Sequence, residues 1–213
     1  MTGSIPSFNQ MIQKSIVDHW DLDSLTDFKG ATLQYHDVAR KIEKLHIMFE
    51  SSGVKQGDKI ALCGRNSAAW AAAFLAVLTY GAIAVPILHE FTAEQIHNIV
   101  NHSDAKILFA GDVVATQIDA TKMPSLEGII YIPDYSLVLS RTDKLTYARE
   151  HLNEIFGQLL AEHTEHGVLQ AAVSRSMKHA FAVSNTLKID FRMALGGVLH
   201  HRQDISRFGK ILF

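Results

Sequence analysis

Histidine has the widest chemical scope of the residue types in this sequence, because it can ligate a metal or move a proton near neutral pH. Five of the twelve histidines lie in the C-terminal part, at His163, His166, His179, His200 and His201. His163 and His166 share one helical face, with Glu162 and Glu165 beside them. Zinc sites combine histidine with cysteine or carboxylate at fixed spacings, and His-x-x-His alone is too little. We therefore interpret these histidines as solvated surface residues and predict no metal site.

His89 and Glu90 form a second candidate pair. They follow the Pro86 turn, at the carboxyl end of an apolar run that is typical of a strand. Ligands of open α/β sheets collect at such strand ends. The pair can be read as a catalytic His–Glu couple or as an ordinary loop pair, and we favour the loop pair. His97 and His102 are five residues apart, which does not place them on one helical face, so we interpret them as ordinary polar positions.

The segment Gly64–Asn66 follows another apolar run and precedes an alanine-rich segment. A helix that begins after a strand presents free backbone N–H groups that attract anions. This pattern makes Gly64, Arg65 and Asn66 a candidate phosphate-binding turn. The full G-x-G-x-x-G fingerprint is absent, however, so we do not predict a dinucleotide site.

Three apolar side chains in this region also invite a functional reading. Cys63 is the single cysteine, which excludes an intramolecular disulfide and fits a reducing compartment. It lies within an apolar run, so we predict a small buried hydrophobe. Trp70 and Phe74 are four residues apart on one helical face, and we predict core packing there in preference to an acyl pocket.

The elements that must position these residues are clearest between Asp58 and Asp112. Short apolar runs alternate there with longer segments of helical period, which is the pattern of βαβ units that build a parallel sheet. Parallel strands are buried on both faces, so continuous apolar runs are expected in them. We predict an α/β fold: a layered parallel sheet with helices on both faces. The predicted strands lie at residues 58–63, 83–87, 105–110 and 128–132.

Further elements flank this region on both sides. The start and stop signals of capping residues and glycines set their limits. Before the sheet we predict a helix over Ser7–Trp20 with Ser7 as N-cap, a hairpin turning at Lys29–Gly30, and a helix from Asp37 that stops at Gly53. Within and after the sheet we predict a helix capped by Thr92 and Gln95, another N-capped by Asn66 or Ser67, and a helical stretch over Tyr147–Phe156.

The composition changes near Gly157. The sequence from there to Phe213 has no Pro, Tyr, Trp or Cys and is enriched in His. We therefore divide the chain into residues 1–156 and a divergent tail, residues 157–213, in which a helix near residues 168–181 and a strand near residues 187–193 are predicted. The basic residues of the tail are widely spread, which favours a solvated surface: Arg175, Lys178, Lys188, Arg192, Arg202, Arg207 and Lys210.

Charge and hydropathy limit the classes of partner. The formal net charge is −2, which gives no electrostatic case for a nucleic acid or an anionic membrane as partner. The most apolar segment, Ala68–Leu78, is too short to span a bilayer. The first six residues have no basic cluster followed by an apolar core, so no signal peptide is predicted. These features predict a soluble, cytoplasmic protein without integral membrane contact.

Several segments together resemble one enzyme family. Residues 32–38 resemble its T-L-T-Y-x-E-L opening, and residues 54–61 its G-V-x-x-G-D-x-V-A turn. Residues 65–70 match x-N-S-x-x-W, and residues 76–87 match A-x-L-x-x-G-A-x-x-V-P-I. The order continues through Thr92–Ile96, His102–Lys106 and Leu108–Phe109. The chain from Ile5 to Phe156 is thereby similar to the adenylate-forming enzymes, the AMP-dependent synthetases and ligases, and within them to acyl-CoA synthetases of the long-chain fatty-acid type.

This resemblance implies an N-terminal subdomain that carries part of the acyl-binding side. The family joins a carboxylate to ATP with magnesium, and the thiol of coenzyme A then displaces AMP. After the position of Phe156 the family has a glycine-rich phosphate loop ending in Lys-Gly, whose backbone N–H groups approach the phosphates. The tail has no such loop: Gly196–Gly197 lacks an adjacent Lys or Thr, and Ser184–Lys188 contains no glycine.

The later nucleotide-contacting motifs and the C-terminal domain with its catalytic lysine have no counterpart in the chain either. We therefore predict no catalytic, cofactor-binding or metal residue, no cofactor for this chain alone, and no catalysis by it alone. The alternative is a non-catalytic α/β interaction or binding module, whose partner would be a second copy or the remaining part of a ligase.

Overall fold

The computed structural model describes residues 6–162 and Gly167. This part of the chain contains seven α-helices, one short 3-10 helix (Ala120–Lys122) and seven strands. The helices are α1 (Phe8–Asp18), α2 (Tyr35–Ser51), α3 (Ala68–Tyr80), α4 (Ala93–Ser103), α5 (Asp112–Gln117), α6 (Asp143–Glu150) and α7 (Leu152–Glu162). The strands are β1 (Asp23–Thr26), β2 (Thr32–Gln34), β3 (Lys59–Cys63), β4 (Ile83–Ile87), β5 (Ile107–Ala110), β6 (Gly128–Tyr131) and β7 (Leu137–Ser140).

A five-stranded sheet with the order β4-β3-β5-β6-β7 forms the centre of the fold. The first four strands in this order are parallel, and β7 pairs antiparallel to β6 at one edge. β3 lies between β4 and β5, with Ala61 opposite both Val85 and Leu108. The α/β fold class and the four predicted parallel strands are confirmed.

Alternate residues of the strands enter two separate hydrophobic clusters, one on each face of the sheet. Ile60 and Leu62 of β3 pack with α2, α3, α6 and α7, whereas Ala61 and Cys63 pack with α4 and the segment that follows β5. The four residues Ile60 to Cys63 are fully buried. Helices therefore cover both faces, as the continuous apolar runs predict.

The helix limits follow local capping. Ser7 caps α1, and Thr92 caps α4, each in a capping box with the glutamine three residues later. Ser67 is the N-cap of α3, and Gly81 ends that helix with φ of 84°, a left-handed value that glycine adopts without strain. The prediction of α2 is corrected at its start: it begins at Tyr35, two residues before Asp37.

The early start of α2 has a local cause. The backbone N–H of Gln34 donates to the Asp37 carboxylate at 3.1 Å, so Asp37 serves as the third residue of the first turn. A carboxylate in that place satisfies a backbone donor and complements the helix dipole. The acidic residue that the sequence suggests as the helix start is therefore part of its cap.

Three elements differ from the sequence-based expectation. The edge strand β7 was not predicted, because four residues with one half-exposed face give little periodic signal. Residues after Gly111 form α5 where a looser segment was expected. The helical stretch Tyr147–Phe156 consists of two helices that meet at His151.

The region around the expected domain boundary is helical. α7 continues through Gly157 to Glu162, and the division into residues 1–156 and 157–213 stays a prediction. The helix and the strand predicted near residues 168–181 and 187–193 lie outside the described residues. Within residues 6–162, the structure contains no helix of the length and hydropathy that a membrane span requires.

One arginine fixes the connection that leads into β6. The guanidinium of Arg141 donates to the carbonyl oxygens of Ala120, Met123, Pro124 and Leu126 at distances between 2.6 and 3.1 Å. A guanidinium presents five donors in a fixed plane, which suits several acceptors along one loop. The loop is therefore held through its backbone by a side chain from the far end of β7.

A glycine exchange tests the packing of the turns that follow β3 and β5. A Cβ at Gly111 would lie 2.9 Å from the Gly64 Cα, a backbone atom that cannot move aside. We expect Gly111→Ala to lower the free energy of unfolding by roughly 1–3 kcal/mol. Urea denaturation followed by circular dichroism measures this change.

Gly157→Ala is the matched control. Gly157 lies within α7, and a Cβ there meets nothing within 4 Å. We expect this exchange to raise the free energy of unfolding by about 0.5–1 kcal/mol, because alanine favours the helix. Equal effects of the two exchanges would contradict the close approach of Gly111 to Gly64.

Candidate functional site

The carboxyl edge of the parallel sheet is the place where this topology collects ligands. From β3 the chain passes through α3 to β4 on one side, and then through α4 to β5 on the other side of β3. The chain continues from β3 to β4 on one side and from β5 to β6 on the other, so the switch point lies between β3 and β5. Open α/β sheets bind ligands outside the carboxyl ends of the strands at such a switch point.

Two glycines meet at this switch point. Gly64 follows β3 and Gly111 follows β5, and Gly111 N–H donates to the Cys63 carbonyl oxygen at 2.8 Å. A Cβ on Gly64 would lie 2.7 Å from Ile132 Cδ1, so all three strand ends are tightly packed. The glycines serve close packing of backbone against backbone at the switch point.

The start of α3 already has an anionic partner. Ala68 N–H donates to the Asp27 carboxylate at 2.7 Å, and Trp70 N–H donates to the Ser67 hydroxyl at 3.0 Å. Asp27 comes from the hairpin of β1 and β2, which lies against this helix end. A helix N-terminus attracts one anion, and here a carboxylate of the same chain takes that position. The candidate phosphate turn Gly64–Asn66 thus precedes a helix end that Asp27 caps.

Cys63 lies at the end of β3 with its side chain in the core. It is fully buried, and its Sγ is 3.7 Å from the Leu88 carbonyl oxygen. Burial, with a smaller contribution from the Glu90 carboxylate, raises the pKa of the Cys63 thiol to about 12. A thiol needs a lowered pKa to act as a nucleophile near neutral pH. The predicted reading as a buried hydrophobe is confirmed.

His89 and Glu90 stand at the carboxyl end of β4 as predicted. His89 Nε2 is 3.2 Å from Glu90 Oε1, and the two side chains are 31% and 68% exposed. Within residues 6–162, neither side chain has a further hydrogen-bond or ion-pair partner. A catalytic base is oriented by its partner and shielded from water. The two side chains are close enough for a catalytic His–Glu pair, but they are not shielded from water as such a pair would be.

His97 has a structural role that the sequence did not indicate. It is buried in α4, and its Nε2 accepts a hydrogen bond from Asp119 N–H at 2.9 Å. Burial and, to a smaller extent, the Lys122 ammonium lower the pKa of His97, against the opposing charges of Asp119 and Glu94. The hydrogen bond requires the neutral imidazole, because a protonated ring has no acceptor.

Trp70 and Phe74 stack on each other and lie against the core. Their ring centroids are 5.3 Å apart with an angle of 11° between the rings. Both are half-buried and pack against the cluster that α2 and α3 form on the sheet. Trp70 Nε1 is buried and has no hydrogen-bond partner among the described residues. The predicted core packing accounts for both side chains.

The candidate metal ligands lie outside the described residues, and so do the basic residues of the tail. These are His163, His166, His179, His200 and His201, and Arg175, Lys178, Lys188, Arg192, Arg202, Arg207 and Lys210. Within residues 6–162, no three His, Cys, Asp or Glu side chains are grouped so that they could hold a metal ion. The prediction that assigns the tail histidines to a solvated surface stays a prediction.

Comparison with known proteins bears on the family of this chain, which the geometry alone does not determine. The family model described as "AMP-binding enzyme" matches residues 12–165, which is well over half of the chain. The chain belongs to the AMP-binding enzyme family. The match covers the sheet, its helices and the hairpin, and it ends three residues after α7.

Curated relatives include proteins named as CoA ligases and acyl-CoA synthetases. The chain is 31% identical over 94 residues to long-chain-fatty-acid–CoA ligase FadD15 of Mycobacterium bovis, which is 44% of this chain and 15% of that protein. It is 27% identical over 104 residues to long chain acyl-CoA synthetase 3 of Arabidopsis thaliana, which is 49% of this chain and 16% of that protein. The chain therefore matches less than a fifth of the length of these relatives.

Solved structures agree in fold. The anthranilate CoA ligase AuaEII, in complex with anthranoyl-AMP, has a TM-score of 0.58 at 18% identity over 67% of this chain and 28% of that chain. The N-terminal domain of FACL13 from Mycobacterium tuberculosis has a TM-score of 0.55 at 18% identity over 65% of this chain and 39% of that chain. The mixed α/β layers described above are the fold of the N-terminal domain of adenylate-forming ligases.

The buried imidazole of His97 predicts a pH dependence of stability. Because its pKa is lowered in the folded state, the unfolded chain takes up a proton first as the pH falls below about 6.5. The stability that neutral His97 provides is complete above that pH and is lost as the pH falls toward the folded pKa. Urea midpoints measured at pH 8, 6.5 and 5 should fall over the lower interval.

His97→Gln is the variant that separates His97 from other titrating groups. Glutamine keeps an acceptor for Asp119 N–H but does not titrate. We expect its urea midpoint to lose less than the native one between pH 6.5 and pH 5. His102→Gln, at an exposed position of the same helix, should behave as the native chain does. A parallel fall in the His97→Gln variant would contradict the assigned role.

Proposed function

We propose that this chain is the N-terminal part of an AMP-forming acyl-CoA ligase of the long-chain fatty-acid type. Such a ligase activates a fatty acid with ATP and magnesium to an acyl-adenylate and then transfers the acyl group to coenzyme A. The observation that carries the proposal is the AMP-binding family match over residues 12–165, together with relatives that are fatty-acid–CoA ligases. The reduced, buried Cys63 is compatible with a cytoplasmic location, which we include in the proposal.

We further propose that these 213 residues do not form an acyl-adenylate on their own. Phosphoryl and adenylyl transfer depend on N–H groups and cations that are held against the phosphates. The sequence after Phe156 contains no glycine-rich loop that ends in Lys-Gly. At the switch point of the sheet, Asp27 occupies the start of α3 and the glycines pack against each other. The parts that activate ATP are therefore expected from another segment.

The test is complementation. We expect the purified chain to give no fatty-acid-dependent exchange of labelled pyrophosphate into ATP. The same chain, mixed or co-expressed with the remaining C-terminal portion of a FadD15-type ligase, should restore exchange above the level of that portion alone. The physical reason is that the missing loop would then face the carboxyl edge of this sheet.

Two results would contradict this proposal. Exchange by the purified chain alone would show that its own residues activate ATP. Failure of the mixture, although both parts are folded by circular dichroism, would count against assembly of this chain with a second ligase part. A Gly111→Ala chain is the matched control, because its altered strand ends should lower the restored exchange.

A second candidate function is an interaction module. Leu88 and Val113 are 55% and 39% exposed, and both follow strands at the carboxyl edge of the sheet. Large apolar side chains grouped at one edge favour association with a partner. Here the partner would be a second copy of the chain or the rest of a ligase.

Self-association is the measurable consequence of that second candidate. We expect sedimentation velocity to show a concentration-dependent dimer, and Leu88→Gln to shift the balance toward monomer. Val138→Gln, at a position 49% exposed on the edge strand β7, is the matched control and should leave the dimer unchanged. A monomer at every concentration that also fails to bind a hydrophobic dye would exclude this function.

A further inference from the structure

A cavity separates α2 from the turn after β6 and from the junction of α6 and α7. Its volume is about 560 Å³, and it is lined by charged residues of α2 and by the core residues Leu45 and Met48. Asp134 and Tyr135 place one end of it at the turn after β6, and the other lining residues come from β2, α2 and the junction of α6 and α7. The motifs that define the family do not assign it a role.

Positively charged side chains dominate this cavity. Arg40, Lys41 and Lys44 come from α2, and Arg149 comes from α6. Lys41 lies over the Tyr135 ring, with its Nζ 5.3 Å from the centroid, and Arg149 Nε donates to the Tyr135 carbonyl oxygen at 2.8 Å. These contacts fix the positions of two cations without neutralising either of them.

Within residues 6–162, Lys41, Lys44 and Arg149 form no ion pair. Lys44 Nζ donates instead to the neutral Asn153 Oδ1 at 2.7 Å, and it lies 5.1 Å from the centroid of the Phe156 ring. Half-buried cations usually have a carboxylate partner, because burial without one costs free energy. Three such cations around one cavity therefore call for an anion.

Each acidic residue of the cavity already has a partner or is open to solvent. Asp37 accepts the Gln34 N–H and lies 3.5 Å from Arg40. Asp134 accepts the Ser136 N–H at 2.9 Å. Glu150, the third acid of the lining, is exposed to solvent. Hydrogen bonds from Ser136 lower the pKa of Asp134, and the Arg149 charge also contributes to lowering it. Four cations and three acids line the cavity, which leaves a net positive charge.

The mutual repulsion of the cations also affects the pKa of one of them. Burial, and then the charges of Lys41, Arg40 and Arg149, lower the pKa of Lys44. A neighbouring charge of the same sign lowers the pKa of an ammonium, and an anion between the charges would raise it again. The direction of this shift agrees with an unfilled requirement for negative charge.

We propose that this cavity binds a small soluble ligand through a phosphate group. The two terminal nitrogens of the Arg149 guanidinium and the ammonium groups of Lys41 and Lys44 can donate hydrogen bonds to the tetrahedral oxygens of a phosphate. The volume admits an ester substituent beside the phosphate group. Binding at this site does not depend on the ligase assignment, because it rests on the charges that line the cavity.

The test is a calorimetric titration of the full 213-residue chain with inorganic pyrophosphate and with inorganic phosphate at constant ionic strength. We expect saturable binding of at least one of them. The double variant K41Q/K44Q should bind roughly tenfold more weakly or worse, because each removed cation takes a charge-assisted hydrogen bond with it. Glutamine at residue 44 can still donate to Asn153, so the fold should persist.

The double variant K55Q/K106Q is the matched control. It removes the same net charge at positions outside the cavity, and we expect its affinity to equal that of the native chain. Thermal melts by circular dichroism verify that both variants fold. A loss of binding in K41Q/K44Q alone, with both melts intact, supports the site.

The contrary results are equally specific. No saturable binding of either anion, or equal weakening in the two double variants, would overturn the proposal. A second arm uses phosphatidylcholine vesicles with and without phosphatidic acid. Binding to the phosphatidic acid vesicles without binding of free pyrophosphate or phosphate would assign the cations to a lipid surface and overturn the soluble ligand. None of these readouts depends on adenylation activity.

Discussion

The burial of β3 on both faces is the constraint on which the rest of the structure depends. A central parallel strand without exposed surface needs neighbours on both sides and helices above and below it. β4 and β5 supply the neighbours, while α3 and α4 cover opposite faces. The chain therefore continues from β3 to one side of the sheet and from β5 to the other, which places the switch point between the carboxyl ends of β3 and β5. Gly64 and Gly111 are the consequence, because only residues without Cβ fit where the strand ends meet.

The parts that the sequence predicted well are those in which one local signal decides the structure. Continuous apolar runs gave the four parallel strands, and capping boxes at Ser7 and Thr92 gave two helix starts. Gly81 marked the end of α3, because a left-handed residue is needed there. In each case the neighbours in sequence are also the neighbours that determine the backbone.

What could not be predicted depends on contacts between distant residues. His46 is buried, and its Nε2 donates toward the Ala76 carbonyl oxygen at 3.0 Å, thirty residues along the chain. His97 receives its donor from Asp119, and the start of α3 receives its carboxylate from Asp27. No spacing rule connects these pairs. The grouping of the cavity cations could not be predicted from the sequence either. Arg149 lies near Lys41 and Lys44 only because α6 packs on α2.

α2 contributes both to the hydrophobic core and to the charged lining of the cavity. One side packs Ile42, Leu45 and Phe49 into the core, where all three are fully buried. The other side carries the cations of the cavity. A helix with one apolar stripe can place a charged face at a fixed distance from the sheet, because the core packing sets its rotation. The position of the charges is therefore determined by the hydrophobic core rather than by the charges themselves.

The carboxylate of Asp27 has a consequence for the order of assembly during synthesis. It reaches a helix whose first N–H lies 41 residues later in the chain. The hairpin of β1 and β2 leaves the ribosome before that helix exists, and an isolated two-stranded hairpin is marginally stable in water. The contact that the Asp27 carboxylate makes is therefore completed only after α3 has been synthesised. A capping interaction of this helix is in this respect supplied by a segment that is synthesised well before the helix itself.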